Sequence, residues 1–276
     1  PTLTVSGLTI DDTQQQSITG STAYELEITS TATAVTAGSC SNAVTIRRKD
    51  QFGNVTTVGS STNVTLSSTS LSYYSDSACT STITSATILS GAASVDIYFK
   101  RTLIGSDTLS VGGVNIGDSQ TQTINPNIPA LLSFSTSSES IIAGSCSSAV
   151  TVDVYDQHNN LINQGSDTNY TVASTTSGTT TFYSNNDCST LLNSATVTVT
   201  SGSNNGSFYF KDTAEGSNTI SVTGSGFAGS DSQGYTITEA PPYELEITST
   251  AVAVKAGACS SAIITRRKDQ FGNIVS

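Results

Sequence analysis

The sequence predicts an all-β chain of tandem two-sheet antiparallel sandwiches. Three observations carry that expectation: an internal repeat, short runs of period-two alternation, and cysteines that keep step with the repeat. Tyr24–Ala32 returns letter for letter as Tyr243–Ala251, and Arg47–Asn54 returns as Arg266–Asn273. Between 23–57 and 242–276, 24 of 35 aligned positions are identical. A more divergent copy lies between them, with Ala37-Gly-Ser-Cys-Ser41 matched by Ala143–Ser147 and by Ala256-Gly-Ala-Cys-Ser260.

The repeat also orders the parts. Residues 1–21 read as the C-terminal strands of a preceding repeat, because Thr2-Leu-Thr-Val5 matches Thr108–Val111 and Thr219–Val222. Full repeats follow at 22–127 and 128–240, and 241–276 starts another. The two end pieces lack the middle strands and cannot complete one another, so the chain is expected to be a window from a longer array. Within a repeat, Val44 and Ile46 fall on one face of an alternating strand and Thr45 on the other. Ser94–Phe99 reads the same way, with Val95, Ile97 and Phe99 inward and Lys100 outward. Asp50-Gln-Phe-Gly-Asn54 reads as a turn in which Gly53 and Asn54 tolerate positive φ. Further landmarks keep step, Tyr74–Cys79 with Tyr183–Cys188 and Ile97–Lys100 with Phe208–Lys211. No segment carries a helical stripe. Short strands, frequent turns and a long period together are the pattern of a β-sandwich.

Composition narrows the function. Ten Lys and Arg against 21 Asp and Glu give a net charge of -11, a field that repels phosphate and argues against nucleic acid as a partner. No run approaches the roughly 18 apolar residues of a membrane span, so this segment is not expected to insert in a membrane. With no Met anywhere, residue 1 is not expected to be a translation start, and no signal peptide is evident. One His and no Trp leave little material for catalysis. His158, with Asp153 and Asp156, can be drawn as part of a triad, but Phe52 and Phe271 stand at its place in the sister copies. It reads as a turn residue, and no catalytic residue is expected.

These features resemble the bacterial immunoglobulin-like repeats of invasin/intimin-type adhesins and other giant surface or extracellular fibre proteins. The matching elements are an Ala-Gly lead-in, an alternating strand, and Asp-x-x-Gly-Asn at Asp50–Asn54 and Asp269–Asn273. An aromatic strand then precedes Gly-x-x-Thr-Leu-x-Val at Gly105–Val111, or the Ile form at Gly216–Val222. The resemblance implies tandem Ig-like sandwiches. Two features depart from it: Asp156-Gln-His-Asn-Asn160 lacks the turn glycine, and each repeat carries a cysteine pair that such families usually lack.

The repeat-locked cysteines suggest Cys40–Cys79 and Cys146–Cys188, one disulfide per domain, with the partner of Cys259 outside this window. Buried thiols or metal ligands are the alternative, though no Cys-x-x-Cys exists and one His cannot serve both repeats. Disulfides place the chain in an oxidising, extracellular or cell-surface setting. Arg47, Arg48 and Lys49 with Arg266, Arg267 and Lys268 hold six of the ten basic residues, where repeat two has Asp153-Val-Tyr155. A register-setting contact between neighbouring chains or domains competes there with solvated strand ends.

Asp11, Asp12, Asp118 and Asp231 fall near repeat ends, and Glu25, Glu27, Glu244 and Glu246 near repeat starts. Ca²⁺ at a junction is one reading and isolated surface acids the plainer one, since no Asp-x-Asp-x-Asp-Gly loop is present. No other cofactor is expected. The expected function is non-enzymatic and structural, a segment of a large fibre. Self-association into a filament or sheath competes with a passive adhesin stalk, whose host or cell-surface ligand would bind elsewhere. From another class, carbohydrate-binding modules would rely on Tyr73-Tyr74 and Phe182-Tyr183.

Overall fold

The structure, a computed structural model, describes residues 2–5, 12–17, 20–176, 178–227 and 230–276. The chain forms two compact units, Pro1–Asn127 and Ile128–Ser276. Among the described residues there is no α-helix, only a 3₁₀ turn at Asn193–Ala195, and no helix long and apolar enough to cross a membrane.

The first unit begins with an antiparallel hairpin of β1 (Thr2–Val5) and β2 (Asp12–Gln15). Its sandwich is built from β3 (Glu25–Ile28), β4 (Val35–Thr36), β5 (Val44–Lys49), β6 (Thr62–Ser67), β7 (Ser72–Tyr74), β8 (Thr82–Ile83), β9 (Ser85–Ile88), β10 (Ser94–Lys100), β11 (Gly105–Gly112) and β12 (Asp118–Asn125). One sheet has the order β3-β5-β10-β7-β8 and the other β4-β12-β11-β6-β9. The entering chain thus lies in both layers: β3 pairs antiparallel with β5, then β4 crosses over and pairs parallel with β12.

Alternation decides which side chains meet. Val44 and Ile46 point inward with Leu26, Ile97 and Phe99, against Val64, Ile88, Leu109 and Ile124 of the facing sheet. Each fully buried aliphatic or aromatic side chain of this kind stabilises by about 1.5–3 kcal/mol, so the layers need no partner to hold together.

The second unit repeats the plan with β13 (Pro129–Phe134), β14 (Ser140–Ile142), β15 (Val150–Asp156), β16 (Thr168–Ser174), β17 (Thr180–Tyr183), β18 (Thr196–Val199), β19 (Asn205–Asp212), β20 (Gly216–Thr223) and β21 (Asp231–Thr238). Its sheets run β13-β15-β19-β17 and β14-β21-β20-β16-β18, with β14 again parallel to β21. Phe210 and Tyr235 meet edge to face at 4.9 Å in its core. The same unit ends in a small sheet, β22 (Glu244–Ile247), β23 (Thr265–Lys268) and β24 (Ile274–Val275). Here Leu245 and Ile247 are exposed, whereas their counterparts Leu26 and Ile28 pack in the first sandwich core.

Candidate functional site

The Ala-Gly-Ser-Cys-Ser motif is where the chain passes between layers in each of the two sandwiches. Ala37 and Ala143 are buried, and Gly38 and Gly144 adopt φ of 80° and 78°, which lets the turn fold back without a β-carbon. The serine at its end locks onto the aromatic strand. Ser41 donates its N–H to Phe99 O (2.9 Å) while its Oγ accepts from Phe99 N (2.9 Å). Ser147 and Phe210 repeat the pair at 2.9 and 3.0 Å.

Between these residues sits the disulfide, Cys40–Cys79 in one sandwich and Cys146–Cys188 in the other, each with Cα atoms 5.7 Å apart. Asp76 shapes the second cysteine's turn by accepting from the N–H groups of Ala78, Thr80 and Ser81. Cys259 is exposed and unbridged.

The Asp-x-x-Gly-Asn turn does more than reverse the chain. Asp50 Oδ1 accepts from Phe52 N and Asn54 N, both at 2.9 Å, and Gly53 takes φ of 80°. Asp50 Oδ2 reaches across to Ser21 N at 3.1 Å, in the segment that precedes the repeat. The third copy reproduces both halves: Asp269 Oδ1 accepts from Phe271 N and Asn273 N, and Oδ2 accepts from Ala240 N at 2.9 Å. In repeat two Asn159 adopts φ of 61° where the glycine is missing, so a left-handed asparagine keeps the turn.

Burial works to raise the Asp50 carboxyl, but donors from Ser21, Asn54 and Phe52 outweigh it and hold it below the usual carboxylate range. Asp269 behaves alike: burial opposes, and Asn273, Ala240 and Phe271 prevail.

In the second unit this turn forms a joint between copies. Asn273 Nδ2 donates to Thr213 O (2.9 Å) and to Asp269 Oδ2 (2.8 Å), and Asn273 Oδ1 accepts from Glu215 N (3.0 Å). The Phe271 ring lies over Gly144 so closely that a β-carbon there would collide with it. A buried carboxylate, a ring and a carboxamide of 241–276 therefore grip three places on 128–240. In the sequence Phe271 stands only as the counterpart of His158 in a turn. The signal that it differs is the coincidence of a large apolar side chain with a turn otherwise built from polar and small residues.

The basic cluster is not one surface. Arg48 shares the inward parity of Val44 and Ile46 and is 0% exposed, so it cannot meet a neighbouring chain. Its guanidinium donates to Thr56 O, Ser60 O, Thr62 Oγ1 and Leu89 O at 3.0–3.4 Å, tying the loop after β5 to the end of β9. Arg47 and Lys49 point the other way and share Glu27, at 2.5 and 2.7 Å. Lys49 and then Arg47 lower the Glu27 carboxyl. Arg266 and Lys268 pair likewise with Glu246, and Arg267, the counterpart of Arg48, is exposed.

The remaining candidates are dispersed. His158 donates its backbone N–H to Asp156 in a turn. Lys100 and Lys211 lie over the rings of Tyr74 and Tyr183 at 5.8 and 5.5 Å. Tyr73 is buried and Phe182 packs edge to face on Phe208, so neither pair forms an open aromatic platform. Asp118 and Asp231 each accept a backbone N–H, from Ile28 and Phe134. Asp11 and the side chain of Asp12 lie outside the described residues. Among the described residues no three His, Cys, Asp or Glu gather as a metal site.

No protein-family model and no curated protein matches the chain. Among solved structures it is similar to domains 4–9 of the surface layer protein SbsC, at 18% identity and a TM-score of 0.31, over 86% of this chain and 33% of that one. It thus spans about a third of that surface-layer chain. It is also similar to InvD of Yersinia pseudotuberculosis (20% identity, TM-score 0.38, 88% and 69% covered). Invasin, a bacterial integrin-binding protein, matches at 15% identity and a TM-score of 0.34, over 91% and 47%.

Proposed function

We propose that the chain is a structural, non-enzymatic segment of a large bacterial extracellular or cell-surface fibre, built of disulfide-locked Ig-like sandwiches held in fixed succession. The observation that carries this reading is the joint at Asp269, Phe271 and Asn273. A string of independent domains needs only a linker, whereas here one copy grips the backbone of the copy before it. Each full sandwich closes its own core, so each can bear tension by itself. One disulfide per sandwich fits an oxidising compartment. The partner in this reading is another repeat, and any host or cell-surface ligand is bound outside these residues.

Electron microscopy of the native, unreduced material tests the reading. Strands of beads about 30–40 Å long are expected, thicker and regular if the repeats also pack laterally. Compact particles without an extended form would contradict it.

A further inference from the structure

The Phe271 joint has a twin whose ring is not seated. Arg47–Asn54 and Arg266–Asn273 are identical in sequence and share the same turn hydrogen bonds. In both, the buried aspartate already holds the segment before the repeat, Ser21 for Asp50 and Ala240 for Asp269. They differ in the other half. Phe271 is 39% exposed on Gly144, whereas Phe52 is 74% exposed beside exposed Val55 and Val58. The Asn273 carboxamide bridges Thr213 O and Glu215 N, while among the described residues the Asn54 carboxamide bonds to Asp50, at 3.3 Å.

We propose that Phe52 and Asn54 form a docking plug for another repeat of the 128–240 kind. The ring would sit on an Ala-Gly turn like Ala143–Gly144, and the Asn54 amide on backbone groups like Thr213 O and Glu215 N. This rests on the tandem-fibre reading and gives it a joining rule: the plug accepts a repeat that presents a left-handed glycine, since any β-carbon there strikes the ring. The choice of occupant comes from the molecule itself, because an identical plug is seated on that kind of repeat within the second unit. A lone ring framed by a carboxamide that can donate and accept once each suits a turn with one free carbonyl and one free N–H, better than a lipid surface.

The test joins two chains in register, residues 1–242 of a first copy followed by 24–276 of a second, with Phe52→Ser in the first so that one Phe52 reports. Hydroxyl-radical labelling of that Phe52 should fall about twofold against the single chain, following the drop from 74% to 39% exposure between the twins. Asn54→Ala in the second copy, or Gly144→Val in the first, should restore it, with both disulfides and the β-sheet spectrum as folding checks. Unchanged labelling in a fusion that is extended by small-angle scattering overturns the plug and leaves the fibre reading standing. A compact fusion counts against the fibre reading itself. Labelling that falls with concentration of the single chain, and not on fusion, makes Phe52 a contact between separate chains and also overturns the proposal.

Discussion

Truncating Phe271 to alanine should loosen the joint by an amount the twin turns allow to be worked out. The seated ring is 39% exposed and the unseated Phe52 ring 74%, so docking covers about a third of a side chain of roughly 200 Å². That is about 70 Å², or about 1.8 kcal/mol at ~25 cal/mol per Å². Since ~1.4 kcal/mol is a factor of ten, the undocked population should rise about 20-fold.

The Glu215 amide reports it directly, because its hydrogen goes to Asn273 Oδ1 across the joint. In Phe271→Ala its hydrogen exchange should quicken by that factor, while Val222 in the same unit's core keeps its rate. A change under about threefold would refute the claim that the ring holds the joint. Equal acceleration at Val222 would mean that the sandwich, not the joint, had been weakened.

Other outcomes follow from the same contacts. Replacing Cys40 and Cys79 together by serine reopens a loop with a sequence separation of 39, which the chain-entropy relation sets at about 4 kcal/mol; urea unfolding of the first unit checks it, and a loss below about 1 kcal/mol would be inconsistent. Arg48→Leu should destabilise the first unit by about 2–4 kcal/mol, since the buried Thr56 carbonyl and Thr62 hydroxyl lose their donor, and an unchanged urea midpoint would count against the latch. Asp50 and Asp269, with Asp107 (bonded by the N–H groups of Thr69 and Ser70) and Asp212 (bonded by the hydroxyls of Thr176 and Thr180), all titrate lower in the fold than in an open chain, because these donors outweigh burial. Their contribution is therefore full above the unfolded value of about 3.9 and is lost as pH falls through the folded values. Thermal melting should stay level from neutral pH to about 5 and drop below about 4, and a drop that begins near neutrality would contradict it.

Much of the sandwich was legible because alternation and repetition are local signals. Val44, Ile46, Ile97 and Phe99 lie inward as strand parity requires, and cysteines at matched places in two copies gave one disulfide per sandwich. The same parity also placed Arg48 inward, but three consecutive charges looked like a surface. What neutralises the cost of burying Arg48 is a set of backbone carbonyls from the loop at 56–60 and from Leu89, and carbonyls leave no mark in a sequence. The turn at Asp50 was legible as a turn. Its grip on Ser21, and that of Asp269 on Ala240, were not, because the second carboxylate oxygen is filled by a backbone N–H that every non-proline residue carries. Phe271 was hidden for a related reason: its receptor is the missing β-carbon of Gly144, which the sequence presents as one more turn glycine.

The load-carrying claim is tested most directly by pulling single chains from both ends, first unreduced and then with dithiothreitol. The account expects two separate unfolding steps, with residues 40–79 and 146–188 held back by their disulfides until reduction. Reduction should then lengthen the two steps by about 140 and 150 Å, from separations of 39 and 42 at ~3.5 Å per residue. A smooth extension without steps, or steps of the same length in both conditions, would contradict it.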